Sequence, residues 1–140
     1  MKKYFLIGAS KDHVQDGVKH GIVQAGHGRK DFVSKMSKGD WFVYYSSKEK
    51  FEEEKPCQQF TAIGEIIDDK PYQPSVASGF KPFRRDATYK KSTAADIRPL
   101  IDQLSFIKNK KRWGFYLISG FKEISKTDFD IIKNAMHKLG

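Results

Sequence analysis

The sequence predicts a mixed α/β fold in which a small sheet of aromatic strands is covered by short helices. Several runs of large apolar and β-branched residues have the composition of strands. These runs are 4–10, 39–47, 60–67, 83–89 and 113–118. Near the end of the chain apolar residues recur instead at helical spacing, which predicts a helix lying on the core. They are Phe129, Ile132, Ala135, Met136 and Leu139.

Length and cysteine content limit the possible classes of protein. A chain of 140 residues fits one domain with a single core, so we expect one domain over 1–140. Cys57 is the single cysteine, which excludes an internal disulfide framework and a cysteine-cluster metal site. The first apolar run stops at Lys11, too short for export or for a membrane span. We therefore expect a cytoplasmic protein without membrane contact.

The first third of the chain predicts a strand, a short helix and a glycine loop. Ser10 has the residue type of a helix N-cap before residues 11–18, and Gly17 and Gly21 end the helix. Glycines in 21–28 let this loop approach a ligand closely. Gly26 and Gly28 open a dinucleotide-binding fingerprint, but Asp31 occupies the place of its third glycine, which excludes that motif. Residues 31–36 predict one helical turn before the central strand.

After the central strand, residues 48–55 predict a solvated loop or a strand extension, and 60–67 a further strand. Glu65 in that strand lies either on the exposed face or in a pocket as an acceptor. Residues 74–82 predict a surface loop, 83–89 a basic strand, and 96–103 a short helix with Pro99 in its first turn. Residues 105–112 then form a loop and 113–118 the last strand. Residues 120–124 form a bend or a strand extension, before Thr127 caps the final helix.

The central run, 39–47, has the composition of a ligand pocket as well as that of a strand. Its aromatic residues are followed by Ser46 and Ser47. Stacking on aromatic faces supplies affinity for a flat heterocycle, and small polar groups orient it. The alternative is an ordinary core strand, because most aromatic strands fill an interior.

The net charge of +9 is concentrated in two segments, 81–91 and 108–112. Aromatic residues are interleaved with the basic ones, including Phe83 and Tyr89 in the first segment and Trp113 beside the second. Basic side chains bind phosphates and aromatic faces stack on bases, so nucleic-acid or nucleotide binding is one interpretation and a generic basic surface is the other. The candidate phosphate-binding residues are Lys81, Arg84, Arg85, Lys90, Lys91, Lys108, Lys110, Lys111 and Arg112.

Enzyme signatures are absent from the sequence. The 4 histidines do not fall at a metal-ligand spacing, and no nucleophile elbow or phosphate loop occurs. Ser10 and His13 are three residues apart at a helix start, where a cap explains them better than a catalytic pair. We predict no catalytic residue, no metal and no cofactor, although a triad assembled from distant positions leaves no sequence signature.

A set of spaced motifs resembles the small EVE-domain proteins over nearly the whole chain. The most specific are Ser10, His27-Gly28 and Gly39-Asp40-Trp41. Supporting segments are Tyr4-Phe5-Leu6-Ile7-Gly8-Ala9, His13-Val14, Gly17-Val18, Gly21, Gln24, Met36, Tyr44-Tyr45-Ser46, Phe106-Ile107, Lys110, Trp113-Gly114, Gly120-Phe121 and Asp128-Phe129. One departure is Arg29, where the family pattern has lysine; the charge is kept but the geometry of its donors differs.

The resemblance implies a PUA-like fold, a compact mixed β-barrel with flanking short helices, related to YTH domains. Related readers bind a modified base in an aromatic pocket beside a basic groove. The resemblance thus implies a base-binding pocket at the end of the first strand, the glycine loop and the central strand. The implied pocket residues are Ser10, Gln24, His27, Gly28, Arg29, Trp41 and Ser46, with Phe106 and Trp113 as further members.

Two functions of different classes follow. The first is a non-catalytic module that binds a modified nucleobase in DNA or RNA, or a modified nucleoside. The second is a small amidohydrolase of the PUA-like ASCH type acting on a modified nucleoside, for which Thr61 and Glu65 are conceivable catalytic residues. The sequence determines neither the base, nor the polymer, nor the oligomeric state.

Overall fold

The computed structural model describes residues 2–26, 28–73 and 82–137, which form a curled, half-barrel sheet flanked by short helices. The strands are β1 (Tyr4–Gly8), β2 (Ile22–Val23), β3 (Trp41–Lys48), β4 (Pro56–Ile66), β5 (Arg85–Tyr89), β6 (Ala95–Asp96) and β7 (Phe121–Ile124). The α-helices are α1 (Lys11–His20), α2 (Lys30–Val33) and α3 (Lys126–Met136). Two 3₁₀ helices, η1 (Arg98–Gln103) and η2 (Lys110–Leu117), complete the described elements.

The strand order is β2-β5-β4-β3-β1-β7, with β6 paired to β4. Strands β1 and β3 run parallel, with Gly8 beside Tyr45, and the other paired strands run antiparallel. The carboxyl ends of β1 and β3 therefore meet at one edge of the sheet. A register shift between Tyr44 and Tyr45 leaves Thr61 as an extra residue on β4, a bulge that bends the sheet near this edge.

Apolar side chains pack on both faces of the sheet. On the first face α3 and η1 cover a cluster that includes Leu6, Val43, Phe60, Phe129 and Ile132. On the second face α1 and α2 cover the other cluster, made of Phe5, Ile7, Val14, Val23, Ala25, Val33, Met36, Phe42, Tyr44, Ala62, Ile66 and Ala87. Alternation along β3 explains the division, because successive side chains of a strand point to opposite faces.

The helix after β1 and the final helix are confirmed, with small differences at their ends. Helix α1 ends at Gly21, whose φ of 67° is left-handed and suits a residue without a Cβ atom. Ser10 occupies the N-cap position of α1 without a side-chain cap bond. The cap predicted for Thr127 is wrong: Ser125 precedes α3, and its hydroxyl accepts the Asp128 N–H at 3.1 Å. Leu139, predicted for the same helix, lies outside the described residues, as does most of the predicted loop 74–82.

The prediction of a last strand at 113–118 is wrong, because these residues belong to the 3₁₀ helix η2. A short apolar run does not distinguish strand from helix by its periodicity. Two local contacts stabilise the helical form: the Asn109 side chain accepts the Lys111 N–H, and the Tyr116 hydroxyl accepts the Asn109 N–H at 3.0 Å. The strand that pairs with the outer side of β1 is instead β7, from the segment predicted as a bend or a strand extension.

The described residues offer no helix long and apolar enough to cross a bilayer. They also contain no cluster of three or more His, Cys, Asp or Glu residues suited to a metal ion.

Candidate functional site

An open cavity of about 680 Å³ lies at the edge where the carboxyl ends of β1 and β3 meet. Its walls come from the end of β1, the first half of α1, β2, the end of β3 and η2. The lining residues are Gly8, Ala9, Ser10, His13, Asp16, Gly17, Ile22, Gln24, Gly26, Tyr44, Tyr45, Ser47, Lys48, Phe51, Gln58, Arg84, Trp113, Gly114, Leu117, Ile118 and Gly120. The volume falls in the range typical of small-molecule sites.

A close approach of two backbone segments shapes one side of the cavity. The Gly8 N–H donates to the Gly120 carbonyl at 2.8 Å, and the Ala9 N–H donates to the Tyr45 carbonyl at 3.2 Å. A Cβ atom at Gly8 would lie 3.2 Å from the Gly120 Cα atom, tighter than ordinary contact. Glycine at position 8 therefore allows the segment between η2 and β7 to close this side.

Aromatic rings line the cavity on several sides. Tyr44 and Tyr45 come from β3 and Trp113 from η2, while Phe51 follows the turn after β3. The His13 ring stacks on Phe51 with 5.0 Å between centroids and 19° between planes. The aromatic lining supplies flat apolar surface next to polar groups, which is the composition of a pocket for a planar ring.

A pair of buried tyrosine hydroxyls holds β2 against the sheet beside the cavity. The Tyr44 hydroxyl donates to the Gln24 carbonyl at 2.9 Å and accepts the Gln24 N–H at 3.3 Å. The Tyr89 hydroxyl donates to the Ile22 carbonyl at 2.8 Å. Burial raises the pKa of Tyr44 to about 12 and that of Tyr89 well above its ordinary value. Both hydroxyls are therefore neutral at physiological pH, and the backbone of Gln24 is held in place.

Ser10 and Asp12 organise the rim formed by α1. The Ser10 hydroxyl donates to the Asp12 carboxylate at 2.5 Å, and the same carboxylate oxygen accepts the N–H groups of His13 and Phe51 at 2.9 and 3.2 Å. Desolvation by itself raises the pKa of Asp12, but these hydrogen bonds and the nearby His13 outweigh it and lower the pKa. The carboxylate thus ties the segment of Phe51 to the start of α1.

Arg84 is a cavity-lining cation with an unsatisfied donor. Its backbone pairs with Tyr72 through two hydrogen bonds of 3.0 and 2.9 Å. Within the part of the chain that the structure describes, its buried Nε atom has no hydrogen-bond partner. An unmade bond at a buried donor is unfavourable, so this guanidinium would gain from an acceptor brought into the cavity.

Comparison with known proteins assigns the chain to a family. The EVE domain family model matches residues 3–135. The chain belongs to the EVE domain family. A UPF0310 protein of Mycolicibacterium gilvum is 44% identical over 127 residues, which cover 91% of this chain and 90% of that protein.

Solved structures of the same fold include two nucleic-acid complexes. The YTH domain of Zygosaccharomyces rouxii MRB1, in complex with N6-methyladenosine RNA, has a TM-score of 0.65 at 15% identity and covers 99% of this chain and 89% of its own. Human THYN1, in complex with 5-methylcytosine containing DNA, has a TM-score of 0.58 at 11% identity. The match covers 99% of this chain and 100% of the THYN1 chain. Identities this low establish the fold alone, and the predicted PUA-like fold is confirmed.

Three of the pocket residues predicted for this EVE domain line the cavity, namely Ser10, Gln24 and Trp113. Arg84, predicted as a phosphate contact, lines it too. The glycine loop reaches the cavity through Gly26. Whether these residues bind a base stays a prediction, but the structure brings them to one site.

Three other predicted pocket residues do not line the cavity. Trp41 is half-buried on the first face of the sheet, where its ring lies 6.1 Å from that of Phe129. Ser46 is fully buried, with its hydroxyl 2.8 Å from that of Thr61. Phe106 packs against the first core cluster. The strand alternation that brings Tyr44 to the second face turns Trp41 to the first.

Gly28 and Arg29 of the predicted glycine-loop motif do not line the cavity either. Gly28 is buried with a φ of 89°, and a Cβ atom there would lie 2.3 Å from the Pro82 Cβ atom. Arg29 is exposed, donates to Asp31 at 3.1 and 2.7 Å, and lies 4.3 Å from the Phe32 ring centroid. His27 lies outside the described residues, and so does Lys81 among the predicted phosphate contacts.

Arg85, predicted as a phosphate contact, does not have the exposed side chain that such a contact needs, because it is buried. Its guanidinium donates to the Asp68 carboxylate at 2.6 Å and to the Asp68 and Val33 carbonyls at 2.8 and 2.9 Å, and it also contacts the Met36 carbonyl. Lys110 is half-buried and donates to the Leu104 carbonyl at 2.9 Å. The remaining candidates are exposed: Lys90, Lys91, Lys108, Lys111 and Arg112.

Several cavity residues were missed from the sequence. Tyr44 and Tyr45 are part of the aromatic run that indicated a pocket, so their composition was a usable signal. Phe51 comes from a segment of lysines and glutamates that gave no signal of a pocket. Its position at the cavity depends on a hydrogen bond to the distant Asp12. Leu117 and Ile118 were assigned to a strand, which hid their position on the wall formed by η2.

Proposed function

We propose that this EVE domain is a non-catalytic module that binds nucleic acid and takes one base, in modified form, into the cavity. The observation that carries the proposal is the cavity itself, about 680 Å³ with aromatic walls, in a chain of net charge +9. Structures of the same fold in complex with N6-methyladenosine RNA and with 5-methylcytosine containing DNA support it.

Several cavity residues have side chains whose chemistry suits such binding. Trp113, half-buried on the cavity wall, offers a face on which a base stacks. Ser10 and Gln24 offer hydrogen-bonding groups for the edge of the base, positioned by their bonds to Asp12 and Tyr44. The guanidinium of Arg84 would satisfy a carbonyl oxygen of the base or an adjacent phosphate oxygen.

The alternative function, hydrolysis of a modified nucleoside, requires Thr61 and Glu65 at the substrate. Neither residue is among those that line the cavity. Thr61 instead shares a hydrogen bond with the fully buried Ser46, and Glu65 stands opposite Trp41 at the other end of β3. This placement favours binding over hydrolysis.

A titration with nucleosides tests the proposal. The panel contains cytidine, 5-methyldeoxycytidine, adenosine, N6-methyladenosine and an N4-acylated cytidine, with binding followed by calorimetry and products by mass spectrometry. We expect one nucleoside to bind with a one-to-one stoichiometry and to be recovered intact. Release of the acid from the acylated nucleoside would support the hydrolase. Failure of every nucleoside and of oligonucleotides of mixed modification to bind would overturn the proposal.

A further inference from the structure

Three lysines from distant parts of the chain meet around one tryptophan, away from the cavity. The Nζ atoms of Lys2, Lys90 and Lys133 lie 6.0, 5.4 and 5.9 Å from the centroid of the Trp41 ring. Lys2 precedes β1, Lys90 follows β5 and Lys133 belongs to α3, so the tertiary fold alone brings them together. We call Trp41 with these lysines the tryptophan–lysine patch.

The positive charge of this patch is not neutralised within the described part of the chain. None of the three lysines forms an ion pair there with a carboxylate. Lys126, on the same helix as Lys133, shows the contrast because it pairs with Asp130 at 2.7 Å. Glu65 is the cross-strand partner of Trp41 and forms no ion pair with the lysines, so the local balance of these groups stays positive.

Like charges gathered at one place repel each other, and an anion between them relieves the repulsion. The indole face attracts each ammonium, which holds the lysines near one another while their donors face solvent. Exposed side chains at Lys2 and Lys90 keep the surface accessible, and Lys133 is half-buried. The ligand that this patch suits best is therefore a flexible polyanion.

The position of the patch relative to the cavity indicates which polyanion. Trp41 begins β3, and the cavity residue Ser47 lies six positions further along the same strand. At about 3.3 Å per residue the two sites are roughly 20 Å apart along β3. Phosphates of one strand are spaced about 3.4 Å along a duplex axis and further apart in an extended single strand, so about six nucleotides or fewer cover this distance.

We infer that Lys2, Lys90 and Lys133 around Trp41 form a second contact for the phosphate backbone of a nucleic-acid strand, separate from the cavity. The identity of the polymer rests on the proposed function. The contact adds affinity for the polymer and none for a free nucleoside.

The test compares two triple variants that remove the same charge. The first is Lys2→Gln, Lys90→Gln and Lys133→Gln; the control is Lys19→Gln, Lys35→Gln and Lys55→Gln, at exposed positions away from Trp41. Affinity for a fluorescein-labelled single strand of 20 nucleotides and mixed sequence is measured by anisotropy between 0.05 and 1 M salt. Thermal melts verify that both variants fold, and nucleoside binding is titrated in parallel.

Three phosphate contacts on a single strand contribute about 2 to the slope of log K against log salt. We therefore expect the patch variant to lose about 100-fold in affinity at 0.1 M salt, with the loss vanishing near 1 M. A patch variant whose slope and affinity match those of the control would overturn the inference and leave the proposed function intact. A large loss of affinity for the single strand, in a protein whose cavity binds no nucleoside, would support the inference and remove the base-binding cavity from the proposed function.

Discussion

The two ends of strand β3 differ in how completely their polar and aromatic groups are engaged. At its start the buried Asp40 carboxylate accepts the N–H groups of Lys3 and Ser37 at 3.0 and 2.8 Å, and Trp41 packs on Phe129. At its end Tyr45, Ser47 and Lys48 open onto the cavity. Groups with internal partners stabilise the fold, whereas groups facing an open cavity are available to a ligand. Residues at the start of β3 are therefore those whose loss destabilises the protein, and residues at its end are those whose loss weakens nucleoside binding in the cavity.

The largest expected effect is on stability, at the closed end. Trp41→Ala should cost about 3 kcal/mol of unfolding free energy, because it removes a large ring packed against the core. Nucleoside binding at the cavity should not change. Chemical denaturation measures the unfolding free energy, and calorimetry measures the nucleoside affinity. Trp41→Phe is the control, since it keeps an aromatic ring on Phe129. A nucleoside affinity that falls with Trp41→Ala while stability holds would place Trp41 in the binding site.

Alkaline pH should destabilise the fold through the tyrosine that borders the cavity. Burial raises the pKa of Tyr44 to about 12, above the ordinary value of 10.0. The unfolded chain thus releases this proton first, so the stabilisation is full below pH 10 and is lost as pH rises toward 12. Two pKa units correspond to about 2–3 kcal/mol.

Tyr44→Phe tests this effect, because a phenylalanine at position 44 has no proton to lose. Unfolding free energies measured between pH 9 and 12 should fall less steeply in the variant than in the parent. Tyr45→Phe is the matched comparison, since burial also raises the pKa of Tyr45 to about 12. Parallel pH profiles of the parent and Tyr44→Phe would show that the Tyr44 hydroxyl does not couple protonation to folding.

At the open end Trp113→Ala should affect binding more than stability. Loss of one stacking face typically costs about 1–3 kcal/mol, a reduction of roughly 5- to 150-fold in nucleoside affinity. Trp113 lines the open cavity, whereas the Trp41 ring packs against Phe129, so the melting temperature of Trp113→Ala should fall less than that of Trp41→Ala. Equal losses of stability in the two alanine variants, with no change in binding for Trp113→Ala, would contradict the proposed pocket.

The smallest expected effect is that of Ser10→Ala on the rim of the cavity. The change removes the 2.5 Å hydrogen bond to Asp12, a loss of about 1–2 kcal/mol for a bond to a charged group. Because that bond helps to lower the pKa of Asp12, the pKa should rise toward its ordinary value, which NMR titration of the carboxyl carbon would detect. Ser47→Ala, on the same cavity, is the control that should leave the Asp12 titration unchanged.

Neighbouring residues in the sequence show where prediction from sequence ends. Arg84 and Arg85 are adjacent and were both predicted as phosphate contacts. In the structure Arg84 lines the cavity, whereas Arg85 is buried against Asp68. Strand alternation predicts that the two side chains point to opposite faces. Which face is interior depends on the helices and strands packed there, and no local pattern contains that information.

The sequence by itself determined the family, the aromatic central strand, the helix after Ser10 and the amphipathic helix α3. These features depend on local composition and periodicity, or on spaced motifs that resemble those of the family. Only the tertiary structure decided that Trp113 lines the cavity while Trp41 faces α3, that Phe51 reaches the rim, and that three distant lysines surround one indole. Those placements arise from contacts between residues far apart in the chain, where packing and backbone pairing decide among conformations that local preference leaves nearly equal in free energy.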